Sequence, residues 1–133
     1  MKYVVAYGAS ALVMLVLDGI WLTVMGSRLY QPVLGDWMSG QVNWVPAVAF
    51  YLLFLFGVTF LATAPALKSA SWRVAAINGA VLGLVAYAAY DLTNQATLTR
   101  WSTTITLADM TWGTFLSATS ALVGYFASRA LVR

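Results

Sequence analysis

The sequence predicts an all-α integral membrane protein, a four-helix bundle running up-down-up-down with both termini cytoplasmic. Three observations predict it. Charged residues make up 8% of the 133-residue chain and hydrophobic residues 62%; a soluble domain carries about a quarter charged residues, so this chain cannot coat itself for water. Four apolar stretches approach or exceed the ~20 residues that a helix needs to cross the hydrocarbon core. Lys and Arg gather on alternate connections, as the positive-inside rule requires. At this length the chain is expected to be one transmembrane domain, residues 1–133.

The first span is expected over about 3–25, beginning at Tyr3 and ending at Met25. It could be mistaken for a signal peptide, but no small-x-small cleavage site follows its apolar run. The second runs over about 46–67. Pro46 suits its first turn, where a missing N–H does no harm, and Pro65 closes it near the far end. The third covers about 73–92, and the short Lys68–Arg73 connection predicts a tight antiparallel hairpin with the second. The fourth covers about 108–132. The other two connections are longer and richer in Trp, Gly, Thr and Asn.

Lys2, Lys68, Arg73, Arg129 and Arg133 lie at the termini and middle connection, against only Arg28 and Arg100 on the other two. That imbalance puts both termini in the cytoplasm. Asp18, Asp36, Asp91 and Asp109, the four acids of the chain, then fall on the outer side together. Trp21, Trp37, Trp44, Trp101 and Trp112 join them there. The net charge of +3 follows from this topology, and no nucleic-acid partner is expected.

With no Cys or His, disulfides, thiolate or imidazole chemistry, haem, zinc and iron–sulfur sites are not expected. Any chemistry falls to Asp, Tyr, Ser, Thr, Asn, Gln, Lys and Arg. A carboxylate within the bilayer costs at least ~2.5–3.5 kcal/mol, so it persists when paired, protonated or functional. Asp18 lies ~10 Å of helix rise inside the outer end of its span. Met14, Trp21, Leu22 and Met25 share its face. Its partner must therefore come from another helix; a structural role would be a hydrogen bond or an ion pair to Arg28 or Arg100.

Asp91 shares a helix side with Tyr87, Asn94 and Gln95, with Tyr90 at the edge. A carboxylate near a helix C-terminus opposes the macrodipole, so local helix stability does not explain it. Asp109 closes the run Thr106-Leu107-Ala108-Asp109, which reads as an N-terminal capping pattern. Asp-x-x-Trp occurs as Asp18/Trp21 and Asp109/Trp112, each placing an indole one turn from an acid. Gly79 and Gly83, and the stripe Gly113, Ser117, Ser120 and Gly124, predict close helix approach. Asn78 projects almost opposite Asp91 and suits an interhelical or headgroup contact.

The runs Leu17-Asp18-Gly19-Ile20-Trp21-Leu22, Pro65-Ala66-Leu67, Tyr90-Asp91-Leu92-Thr93-Asn94-Gln95-Ala96-Thr97-Leu98 and Asp109-Met110-Thr111-Trp112-Gly113-Thr114 resemble an uncharacterised family of small four-span bacterial membrane proteins, a domain of unknown function with YDLTN-x-ATL and D-M-x-W-G-T motifs. The resemblance covers nearly the whole chain. It implies a multi-pass protein of the bacterial cytoplasmic (inner) membrane and supplies no mechanism.

The expected function is therefore a ligand- or lipid-binding pocket on the outer side. Asp18, Asp91 and Asp109 would line it, with Tyr87, Tyr90, Asn94, Trp21 and Trp112 around them. A cationic or polyhydroxyl amphiphile, a lipid headgroup or a divalent cation held by the three acids would suit it. The alternatives are an intramembrane lipid-modifying enzyme, using paired carboxylates as acid and base, or a non-catalytic subunit of a membrane complex. Membrane lipid, a small amphiphile, and further copies or other subunits are the expected partners.

Overall fold

The computed structural model describes residues 1–132; Arg133, counted above among the cytoplasmic bases, lies outside the described residues. The chain forms four long helices: α1 (Lys2–Trp37), α2 (Trp44–Ser69), α3 (Trp72–Thr97) and α4 (Thr103–Leu131). The first three are long and apolar enough to cross a membrane.

α4 has no 18-residue stretch as apolar as those of the first three, and its packing explains why. It lies against both α1 and α3. Its inward face buries Thr106, Asp109, Ser117, Ser120 and Ser128 beside Ile105, Leu116, Ala121 and Tyr125. A helix walled by other helices needs small residues and hydrogen-bonding groups more than it needs hydrocarbon.

Small residues set how closely the helices approach. A Cβ on Gly79 would come within 2.8 Å of the Ser117 carbonyl oxygen, and one on Gly113 would overlap the Tyr87 ring, so α3 and α4 meet almost backbone to backbone. On the other side of α4, Ser10 donates to the Ser120 carbonyl at 2.7 Å, and Ser128 donates to the Lys2 carbonyl at 2.7 Å. These pairs run in opposite sequence order, so α1 and α4 are antiparallel. Asn78 donates to the Leu61 carbonyl at 3.0 Å, joining α3 to α2. Met14, Phe54, Leu55, Val58, Leu116 and Tyr125 fill the space between.

Two stretches depart from α geometry. α1 is α-helical to Met25, then widens into a π turn over Gly26–Tyr30 before the short Gln31–Leu34 and Gly35–Trp37 segments. α2 carries a second π turn over Thr59–Thr63. Such turns often mark functional positions, and the first ends on Tyr30, which reaches the acids described below. α2 and α3 are joined through Ala70 and Ser71 alone, with Ala70 in the left-handed region at φ 51°.

α4 starts earlier than its apolar run suggests. Ser102 is the N-cap, its hydroxyl accepting from the Ile105 N–H at 3.1 Å. Thr106 instead accepts from the Trp101 indole at 2.9 Å. Asp109 therefore sits in the second turn, 8% exposed, and does not cap the helix. The capping expectation fails because the serine upstream takes that role.

Candidate functional site

The four acids lie at the end of the bundle where the α1–α2 and α3–α4 connections meet, and the bases Lys2, Lys68, Arg73 and Arg129 lie toward the other. Three of the acids are buried: Asp18 and Asp109 are each 8% exposed and Asp91 is fully enclosed. The fourth, Asp36, is exposed and pairs with Arg100. Arg100 also donates to the Leu34 carbonyl and lies over the Trp37 ring. The guanidinium holds the Asp36 carboxyl below its ordinary value, through their hydrogen bond first. This contact ties the end of α1 to the α3–α4 connection beside the buried acids.

The indoles cross over between the acids. Trp112, one turn after Asp109, donates at 3.1 Å to Asp18 on α1. Trp21, one turn after Asp18, donates at 3.0 Å to the Tyr30 hydroxyl, and Tyr30 donates to Asp109. The two indoles stack between these contacts, centroids 4.6 Å apart and planes 8° from parallel. The result is one connected assembly, Asp18–Trp112–Trp21–Tyr30–Asp109. Tyr51 on α2 also donates to Asp18. Neither Arg28 nor Arg100 supplies the Asp18 partner; a tyrosine and an indole do.

Asp91 is placed differently. It lies near Asp109, and neither of its carboxyl oxygens meets a donor. Gln95 turns toward Thr103, donating at 2.9 Å, and so is drawn to the α3–α4 connection. Asn94 is half-buried beside Tyr90, which sits edge-on to Trp101 at 5.8 Å. Tyr87 stands among all three buried acids, with Phe54 edge-on to it at 6.3 Å.

A cavity of about 320 Å³ adjoins Asp109, walled by Phe50, Ala86, Tyr87 and Tyr90. Phe50 and Tyr90 are both largely exposed, so it opens sideways between α2 and α3. The sequence-predicted residues thus divide into two groups. Asp18, Trp21, Trp112 and Asp109 share the hydrogen-bonded assembly, while Asp91, Tyr87 and Tyr90 gather on the α3 side. Among the described residues, no three acids come together closely enough to hold a metal ion. A divalent ion held jointly by Asp18, Asp91 and Asp109 does not fit this geometry, because Asp18 is occupied on α1 by its own donors.

Sequence reasoning missed Tyr30 and Tyr51. One signal was available: a tyrosine hydroxyl within an apolar segment needs a partner, and buried acceptors were the natural ones.

A family model described as predicted membrane protein (DUF2177) matches residues 3–126. No curated protein and no solved structure is matched.

Proposed function

The chain belongs to the DUF2177 family of predicted membrane proteins, whose function is unknown, and from that footing we propose that it binds a cationic amphiphile at Asp109. The amine of the ligand would sit in the cavity walled by Phe50, Tyr87 and Tyr90. One observation carries this reading. Three carboxyl groups are buried at one end of the bundle, and none has a basic partner among the described residues. Both Asp91 oxygens also lack a donor. Buried acids require compensation, here by a proton shared between Asp91 and Asp109 or by a cation entering from outside.

The cavity walls favour an organic cation over a bare ion. Aromatic faces attract ammonium groups by about 0.5–2 kcal/mol, more where water is excluded. The sideways opening suits a ligand whose tail remains in the bilayer. Four spans running up-down-up-down, with both termini cytoplasmic in a bacterial inner membrane, would place this site on the outer side. The positions of Lys2, Lys68, Arg73 and Arg129 support that orientation. Binding is preferred to lipid-modifying chemistry because the Tyr30 and Tyr51 hydroxyls already donate to carboxyl groups.

The test uses the full chain in phosphatidylglycerol nanodiscs, titrated with dodecylamine and, separately, with uncharged dodecanol. A saturable change in tryptophan emission is expected with the amine alone. Asp109→Asn should weaken it at least tenfold, about 1.4 kcal/mol. Equal responses from the variant and the unaltered protein, or from the alcohol and the amine, would reject the reading.

A further inference from the structure

The opposite end of the bundle carries a larger feature that the amine site does not use. A groove of about 900 Å³ runs between the start of α1 and the second half of α2. Its walls are Tyr7, Phe56, Phe60 and Pro65 among others, and Lys68 stands at its mouth. From Lys68 to Phe56 the helix rises ~18 Å, a little more than half of the ~30 Å hydrocarbon thickness. The groove is thus about one leaflet deep, which is the reach of a single acyl chain. Its outward walls are uncovered: Phe56 is 58% and Phe60 62% exposed.

Two further observations bear on the occupant. Lys2 lies over the Tyr3 ring at 5.3 Å, and Tyr3 borders the groove beside Lys68. No Asp or Glu side chain lies at this end, since all four are gathered at the other. Among the described residues the charged side chains at this end are therefore all basic, and Lys side chains extend their ammonium groups to headgroup level. In addition, Thr59 lies on the groove wall, 9% exposed, and its hydroxyl has no hydrogen-bond partner. Thr59 opens the second π turn. The wall therefore offers one unused polar atom within a hydrocarbon and aromatic surface.

We infer that this groove holds one acyl chain of an anionic phospholipid, with the headgroup phosphate at Lys68 and Lys2. The chain lies along Phe60 and Phe56, between α1 and α2. Each Lys near an anionic membrane surface contributes about 1 kcal/mol, so two of them select this lipid over a zwitterionic one. The site is separate from the amine site, and either can fail without the other.

The experiment reconstitutes the full chain in phosphatidylcholine vesicles containing a small fraction of phosphatidylglycerol with a diazirine on one acyl chain. Labelled peptides are then mapped by mass spectrometry. Labelling should concentrate on residues 56–65 and 3–7, at least about threefold above the comparably exposed Val81, Val85, Phe115 and Phe126. The same diazirine on phosphatidylcholine should show no such preference. Lys68→Gln should remove the preference and Lys68→Arg should keep it. Ala64→Leu, which fills the groove, should abolish labelling there while circular dichroism stays unchanged. Even labelling over all outward faces, equal labelling by the two lipids, or a cross-linked dimer joined through residues 56–65 would each overturn the inference.

Discussion

Trp112 gives its indole N–H to Asp18 across the bundle, at 3.1 Å, and not to Asp109 on its own helix. The stack with Trp21 then carries the contact back toward Asp109 through Tyr30. α1 and α4 are thereby joined twice at the acidic end, by polar contacts that cross and by two large aromatic faces between them. A protein with this arrangement should respond differently to loss of the N–H and to loss of the ring.

Trp112→Phe keeps an aromatic face and removes the donor. A loss of about 1 kcal/mol is expected, in keeping with interhelical hydrogen bonds in membranes. Trp112→Ala also loses the stack and should cost about 3 kcal/mol or more. Unfolding in mixed micelles, followed by circular dichroism, measures both. Equal losses from the two substitutions would mean that the stack does not matter, and no loss from Trp112→Phe that the donor does not.

Tyr30→Phe removes the group that links Trp21 to Asp109 while leaving the π turn in place. Stability should fall by about 1 kcal/mol, and the emission of Trp21 should shift in a protein whose other tryptophans are replaced by Phe. An unchanged spectrum would show that Tyr30 does not hold that indole in solution.

Asp91→Asn should be close to neutral for folding, within about 0.5 kcal/mol. The present carboxyl oxygens lack donors, and an amide N–H can be offered to Asp109. A structural carboxylate at this position would show the opposite behaviour, with a large loss of thermal stability in the same unfolding assay.

Gly113→Ala should destabilise by about 1–3 kcal/mol, because the added methyl group overlaps the Tyr87 ring in a closely packed interface. Gly8→Ala is the matched control: nothing lies within 4 Å of its new methyl group. Should both substitutions behave alike, the α3–α4 approach is looser than described.

The helical class could be read from composition, because a chain with so little charge has few alternatives to membrane helices. The middle hairpin was readable for a similar reason, since so short a connection leaves the second and third helices no choice but to turn back. The Gly79 and Gly113 approach followed from residue size. Other features depended on partners far apart in sequence. Tyr51 and Asp18 meet only once α1 and α2 are packed, and neither π turn has a local signature in Gly26–Tyr30 or Thr59–Thr63. The Thr106–Asp109 pattern misled because a capping motif is a short string and Ser102 competes for the same helix end. The polar face of α4 acquired its meaning only with its packing against α1 and α3.

That packing bears on how the chain is assembled during synthesis. α4 carries Thr106, Asp109, Ser117, Ser120 and Ser128 on the face that its neighbours cover, so on leaving the ribosome alone it would meet lipid with those groups exposed. Its insertion is best served by waiting at the translocon beside α1 and α3, which emerge first and supply the protected surface. The order of the helices along the chain, with the one that buries most residues in the bundle last, then acts as an assembly schedule.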